Sequence, residues 1–127
     1  MTEVNVLAGY NGNEEPKNAD ATIGSISVLG DLTATNIIAG IKDVNGDGFG
    51  NTDDEAIKAN TTKLSTIGII RVLGFVGSTP ESADHFGIEA EFIRALDFGV
   101  TTVVLKPGPH NDADLLGPNG DVLLQEV

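Results

Sequence analysis

One short run carries the only residue pattern in this chain with specific chemistry. Asp43, Asn45 and Asp47 alternate with Val44, Gly46 and Gly48; Phe49, Asn51 and Asp54 follow. Oxygen-bearing side chains at every second residue of a turning loop converge on one point. Gly48 stands at the sixth place, where the chain must turn sharply. Phe49 stands at the seventh, where the backbone carbonyl turns inward. Calcium takes about six to eight hard oxygen ligands at about 2.3–2.6 Å. The spacing therefore predicts a Ca2+ loop with Asp43, Asn45, Asp47, the Phe49 carbonyl, Asn51 (often through water) and Asp54 as ligands. Carboxylates crowded into one turn repel each other unless a cation neutralises them. The competing reading is an acidic, Asn-Gly-rich surface turn that binds nothing.

The run Asp43-Val44-Asn45-Gly46-Asp47-Gly48, with Asp54 closing it, resembles EF-hand loops and is most similar to the calcium loop of dockerin modules. The resemblance implies calcium as the cofactor. It does not extend to cohesin binding. Ile37–Ile41 reads as a strand where a dockerin has an entering helix, only one loop is present, and Gly50 replaces the apolar residue that pairs two loops.

Other residues with chemical potential are sparse. His85 beside Asp84, and His110 near Asp112 and Asp114, could form catalytic or metal pairs, but each His sits in a polar loop. Asn111-Asp112-Ala113-Asp114 could hold a second cation. Neither a Gly-x-Ser-x-Gly elbow nor a phosphate-binding Gly-rich loop occurs, and no catalytic residue is assigned. The absence of Cys excludes disulfides, zinc–thiolate sites and thiol nucleophiles.

The elements that must position the loop are repeated strands. Ser25–Leu32, Ile69–Val76 and Phe92–Gly99 share an Ile-x-x-Leu character, and Thr22-Ile23-Gly24 is echoed by Thr66-Ile67-Gly68. A second strand type alternates with it: Asn5-Val6-Leu7-Ala8-Gly9 matches Asn36-Ile37-Ile38-Ala39-Gly40, Gly87–Glu91 is a looser copy, and Asp121–Glu126 a fourth. Aligning the isoleucines places Ile26, Ile70 and Ile93 in one row. Arg71 and Arg94 then stack on an outer face with Ser27, about 4.8 Å apart, and need acids such as Glu89, Glu91 or Asp97 beside them. An Arg pair gripping an anionic sugar is the functional alternative. The expected core is Ile26, Val28, Ile37, Ile70, Val72, Ile88, Ile93 and Ala95. Insertions fall at two corners, residues 10–21 and 41–65 at one and 77–84 at the other, as expected where loops leave a stack undisturbed. Thr52–Ala59 has the only helical character, Thr101–Leu105 reads as a further strand, and Lys106–Gly120 as a loop.

Strands that cannot bury their faces alone point to stacked coils. We expect one all-β domain over residues 1–127: a short right-handed parallel β-helix (β-solenoid) of about three irregular coils, with the calcium-type loop inserted at 42–64. An antiparallel β-sandwich is the rival. Thr22–Gly40, Asp84–Ile88 and Gly120–Val127 resemble the coils of large secreted or cell-surface bacterial β-solenoid proteins. That resemblance implies an extended surface scaffold or adhesin, an extracellular or cell-surface location, a chain that is a piece of a longer solenoid, and other coils or surface glycans as partners.

Charge narrows the classes further. Seven Lys and Arg against 19 Asp and Glu give a net charge of −12. Nucleic acid and anionic membrane surfaces both need a basic face, so neither is an expected partner. Met1-Thr2-Glu3-Val4 lacks the basic start of a secretory signal, and no apolar stretch approaches the roughly 20 residues of a membrane span. The expected function is a non-enzymatic structural or adhesion module stabilised by calcium. The alternative is a carbohydrate-active fragment, polysaccharide-binding or lyase-like.

Overall fold

In a computed structural model, residues 1–58, 62–77, 84–100 and 102–127 are described. Among them the chain is all-β, with no helix. Its strands are β1 (Asn5–Ala8), β2 (Thr22–Val28), β3 (Leu32–Thr33), β4 (Asn36–Ala39), β5 (Ile41–Lys42), β6 (Glu55–Ala56), β7 (Thr66–Val72), β8 (Val76–Gly77), β9 (Phe86–Ala90), β10 (Phe92–Phe98), β11 (Ala113–Leu116) and β12 (Val122–Glu126). They form a five-stranded sheet ordered β1-β4-β9-β12-β11, a three-stranded sheet ordered β10-β7-β2, and the pairs β3-β8 and β5-β6. All the ladders are parallel except β11–β12 and β5–β6. This pairing contradicts the antiparallel sandwich. Like strands meet like, which hairpin connections could not achieve.

The second strand type pairs as the repeat predicts, with Asn5 opposite Asn36, Val6 opposite Ile37 and Ala8 opposite Ala39. Ile37 then meets Ile88, and Ile88 meets Leu124. Asn36 donates from Nδ2 to Asn5 Oδ1 (2.8 Å) and accepts from the Gly87 N–H at Oδ1 (2.7 Å), so side-chain amides continue the ladder at its start.

The first strand type pairs differently from the alignment of isoleucines. Ile26 does face Ile70, and Ser27 faces Arg71. Ile93, however, faces Ile67; Leu96 faces Ile70 and Phe98 faces Val72. The third copy is displaced by three residues. The inward rows are Ile23/Ile67/Ile93, Ile26/Ile70/Leu96 and Val28/Val72/Phe98, all in the core or packed on it. Inward positions step by three and then by two, and the pairing skips Gly24, Gly68 and Arg94 between the first two rows. Gly68 permits a close approach of the two backbones at this skipped pair: a Cβ there would lie 2.1 Å from the Gly24 carbonyl oxygen. The likeness of Ile70-Arg71 to Ile93-Arg94 is incidental to this geometry.

The core runs between the three-stranded sheet, the β3–β8 pair and the inner face of the five-stranded sheet, through Leu32, Ile37, Ile67, Ile70, Val72, Val76, Ile88, Ile93 and Leu124. Of the expected core, Ile26 is partly buried against it, and Ala95 lies outside it, half-buried opposite Ile69. Other expectations also change. Thr52–Lys58 forms no helix; Glu55–Ala56 instead pairs antiparallel with Ile41–Lys42. Thr102–Leu105 is not a strand, although Val103 and Leu105 pack on the core. The 106–120 segment contains β11, which folds back antiparallel on β12. Ala59, Thr101 and the 78–83 part of the second-corner insertion lie outside the described residues.

Candidate metal centre

The acidic loop begins where β5 ends and lies against the start of β9. Its turn is held by its own first carboxylate: Asp43 accepts from the Gly46 N–H at Oδ1 (2.6 Å) and the Gly48 N–H at Oδ2 (2.8 Å). Asp54, at the other end, accepts at Oδ2 from the N–H groups of Gly50 (2.9 Å) and Asn51 (3.2 Å). The two carboxylates that open and close the pattern thus shape the loop through backbone N–H groups. Asn51 donates from Nδ2 to Asp47 Oδ1 (2.9 Å) and to the Gly48 carbonyl (3.0 Å), and accepts from the Asp53 N–H at Oδ1 (3.1 Å). Asn45 donates to Asp53. The Phe49 carbonyl accepts from His85 Nδ1 (2.9 Å). His85 therefore serves the loop and presents N–H at that nitrogen.

Docking on the sheet is close. Gly50 adopts φ +98°, and a Cβ there would lie 2.2 Å from the Phe86 carbonyl oxygen. Tyr10 covers the site from the first polar loop; its ring meets the Phe49 ring edge-on at 6.2 Å, and its O–H donates to the Ile41 carbonyl (2.7 Å). Burial first, then the charges of Asp43, Asp54 and Glu89, push the Tyr10 pKa up to about 12.

Sequence reasoning missed Glu89 as part of this site. It sits on β9 beside Ile38 of β4, pointing away from the core row of Ile88 and Ala90. It is 0% exposed, and while ionised neither oxygen meets a donor; protonated, it shares a hydrogen bond with the Asp54 carboxylate. Asp54 is 4% exposed, and its Oδ1 also lacks a fixed donor. Burial first, then the neighbouring Asp54 charge, push the Glu89 pKa up to about 9. Burial also raises the Asp54 pKa, against the lowering effect of the Asn51 and Gly50 N–H groups. The available signal was positional: Glu89 replaces the aliphatic residue found at this place in Leu7 and Ile38.

The other buried carboxylates have backbone partners. Glu126 accepts from the N–H groups of Ile93 (2.8 Å) and Asn111 (3.0 Å), and Asp112 accepts at both oxygens from the Lys106 N–H (3.1 Å each). Asp112 is thereby committed, and Asp114 is exposed on β11. The Asn111–Asp114 run is thus not gathered as a second cation site. His110 donates from Nδ1 to the Val127 carbonyl (2.6 Å).

Arg71 and Arg94 do not stack, because Asp97 rather than Arg94 faces Arg71. Arg71 Nε contacts Asp97 Oδ2 at 2.6 Å on the surface, and Arg94 lies over the Phe92 ring, 5.5 Å from its centre. Among the described residues no three His, Asp or Glu side chains are gathered closely enough to hold a metal ion as they stand. The residues predicted as ligands share one loop, but their oxygens are engaged mainly within it. No protein-family model, curated protein or solved structure matches the chain.

Proposed function

We propose that this chain is a non-enzymatic structural or adhesion module of an exported bacterial surface protein, stabilised by calcium bound in the Asp43–Asp54 loop. The architecture proposed is a short right-handed parallel β-solenoid of about three irregular coils. In support, like strands pair in parallel in both larger sheets, and the chain passes from β2 through β3 to β4 and again from β7 through β8 to β9. Parallel crossovers of this kind are right-handed in about 98% of cases.

The observation that carries the calcium reading is Asp54. One oxygen is fixed by two backbone N–H groups, and the other is buried facing Glu89, with no donor once Glu89 is ionised. A buried carboxylate oxygen without a donor costs free energy, and a hard cation is a partner that a carboxylate satisfies well. Calcium there would neutralise the loop charge and pin the loop to the sheet. A carbohydrate-active role would draw on Arg71 and Arg94 as an anion grip, and the Arg71–Asp97 ion pair weighs against it.

Calorimetric titration with calcium, and thermal melts with and without chelator, test this reading. Saturating calcium should raise stability by RT ln(1 + [L]/Kd), on the order of 3 kcal/mol at a hundredfold excess over Kd. Asp47→Ala should remove most of that gain and leave the strands folded. Absence of binding heat with an unchanged melting temperature would sink the calcium reading. Antibody labelling of intact cells tests the surface location.

A further inference from the structure

We infer that Glu89, on the middle strand of the five-stranded sheet, is a ligand of the cation bound by the Asp43–Asp54 loop, so that the ion ties loop to sheet. This rests on the calcium reading and adds to it a ligand that the loop pattern does not contain. Glu89 is completely buried, and as a carboxylate it faces a second carboxylate, Asp54, in place of a dedicated donor. Three donors of the loop region have other acceptors: the Gly50 N–H bonds Asp54 Oδ2, the Tyr10 O–H the Ile41 carbonyl, and His85 Nδ1 the Phe49 carbonyl; Gln125 faces Glu89 across the ladder from β12.

A fold does not need a carboxylate here. Ile38, its register partner on β4, fills the same place with an aliphatic side chain. Ionised, a buried carboxylate with no partner is strongly unfavourable; a proton shared with Asp54 relieves it in the cation-free protein, and a cation beside both carboxylates would relieve it in the bound state. Asp54 Oδ1, which also lacks a fixed donor, comes from the loop face of the same contact. Loop and strand approach closely enough that a Cβ at Gly87 would lie 3.0 Å from the Gly50 nitrogen and 2.9 Å from Glu89 Cδ. A divalent ion between Asp54 and Glu89 would satisfy both carboxylates. The remaining places would go to loop oxygens and water, as oxygen-coordinated calcium commonly has.

The test titrates the full chain with calcium, comparing wild type, Asp47→Asn and Glu89→Gln by calorimetry, with circular dichroism to establish folding. Wild type should bind, Asp47→Asn should weaken binding, and Glu89→Gln should weaken it at least about tenfold. Equal affinity of Glu89→Gln and wild type, with Asp47→Asn weakened, overturns the Glu89 inference alone. No binding by wild type overturns the calcium reading and this inference together. If Glu89→Gln does not fold, Glu89→Leu, which repeats the aliphatic character of Ile38, is read by the same criteria.

Location is read separately with terbium, a luminescent substitute for calcium. Tyr10 is the only Tyr and the chain has no Trp. Tyrosine-sensitised emission that calcium displaces places the ion at this loop. Calcium heat without such emission places the ion elsewhere and overturns the inference.

Discussion

In chelator, Glu89→Gln should stabilise the protein, and the gain should grow with pH. The cause is the buried carboxyl described above, whose pKa rises from 4.5 to about 9 on folding. Asp54, Asp43 and Tyr10 are the titratable groups that face it. Below pH 4.5 both folded and unfolded states carry the proton, and titration contributes nothing. Between 4.5 and about 9 the folded state holds a proton that the unfolded chain has released, so stability falls as pH rises. Above about 9 the fall levels off.

Each pH unit in that window costs up to about 1.4 kcal/mol. Neutral pH lies some two and a half units into it, which makes the cost about 3 kcal/mol at pH 7. Glutamine has the same shape, does not titrate, and can donate an N–H toward Asp54. The variant should therefore gain about 3 kcal/mol at pH 7, shrinking toward zero near pH 4. The assay is urea unfolding followed by circular dichroism across that pH range, since the chain lacks Trp. Parallel stability–pH curves for the two proteins would refute the reasoning, because they would mean that Glu89 does not hold the extra proton.

Three further outcomes follow from the geometry. Leu96 packs on the core in the row of Ile70, whereas Leu73, its counterpart by sequence likeness, is 53% exposed. Leu96→Ala should cost about 2 kcal/mol and Leu73→Ala less than about 0.5 kcal/mol in chemical unfolding; equal losses would restore the isoleucine alignment. Gly50→Ala should lower both the melting temperature and calcium affinity, since the added Cβ strikes the Phe86 carbonyl and φ +98° disfavours alanine; an unchanged melting temperature would show that the loop is not docked there. Arg71→Ala should change stability by less than about 1 kcal/mol, because its ion pair with Asp97 is solvent-exposed; a loss of several kcal/mol would contradict that placement.

The parallel pairing of like strands was readable because Asn5–Gly9 and Asn36–Gly40 agree at every position in character, and side-chain identity is what stacked strands share. The register of β10 was not. A run of Ile, Arg and Leu looks the same in either register, and the three-residue step after Ile67 goes with a close approach of two backbones at Gly24 and Gly68. Acidic first-turn residues made Thr52–Lys58 look helical, yet Asp54 is drawn inward to cap the loop and Glu55 pairs with Lys42 across two short strands. The calcium loop was legible as a pattern of oxygens. Glu89 was not, because it lies far along the chain from that pattern and reaches it only through the pairing of β9 with β4.

The reversal of β11 has a consequence for self-association. Parallel ladders are templates: any strand whose outer edge is bare invites the same strand from another molecule, and open-ended growth follows. On the β12 side of the five-stranded sheet that invitation is withdrawn. The edge that would accept a further parallel copy is already paired with a short strand running the other way, bearing Asp114 in its middle. A further parallel copy therefore cannot pair with β12 itself; it would meet β11, a four-residue edge strand running the other way and bearing Asp114, which disfavours in-register growth through this edge.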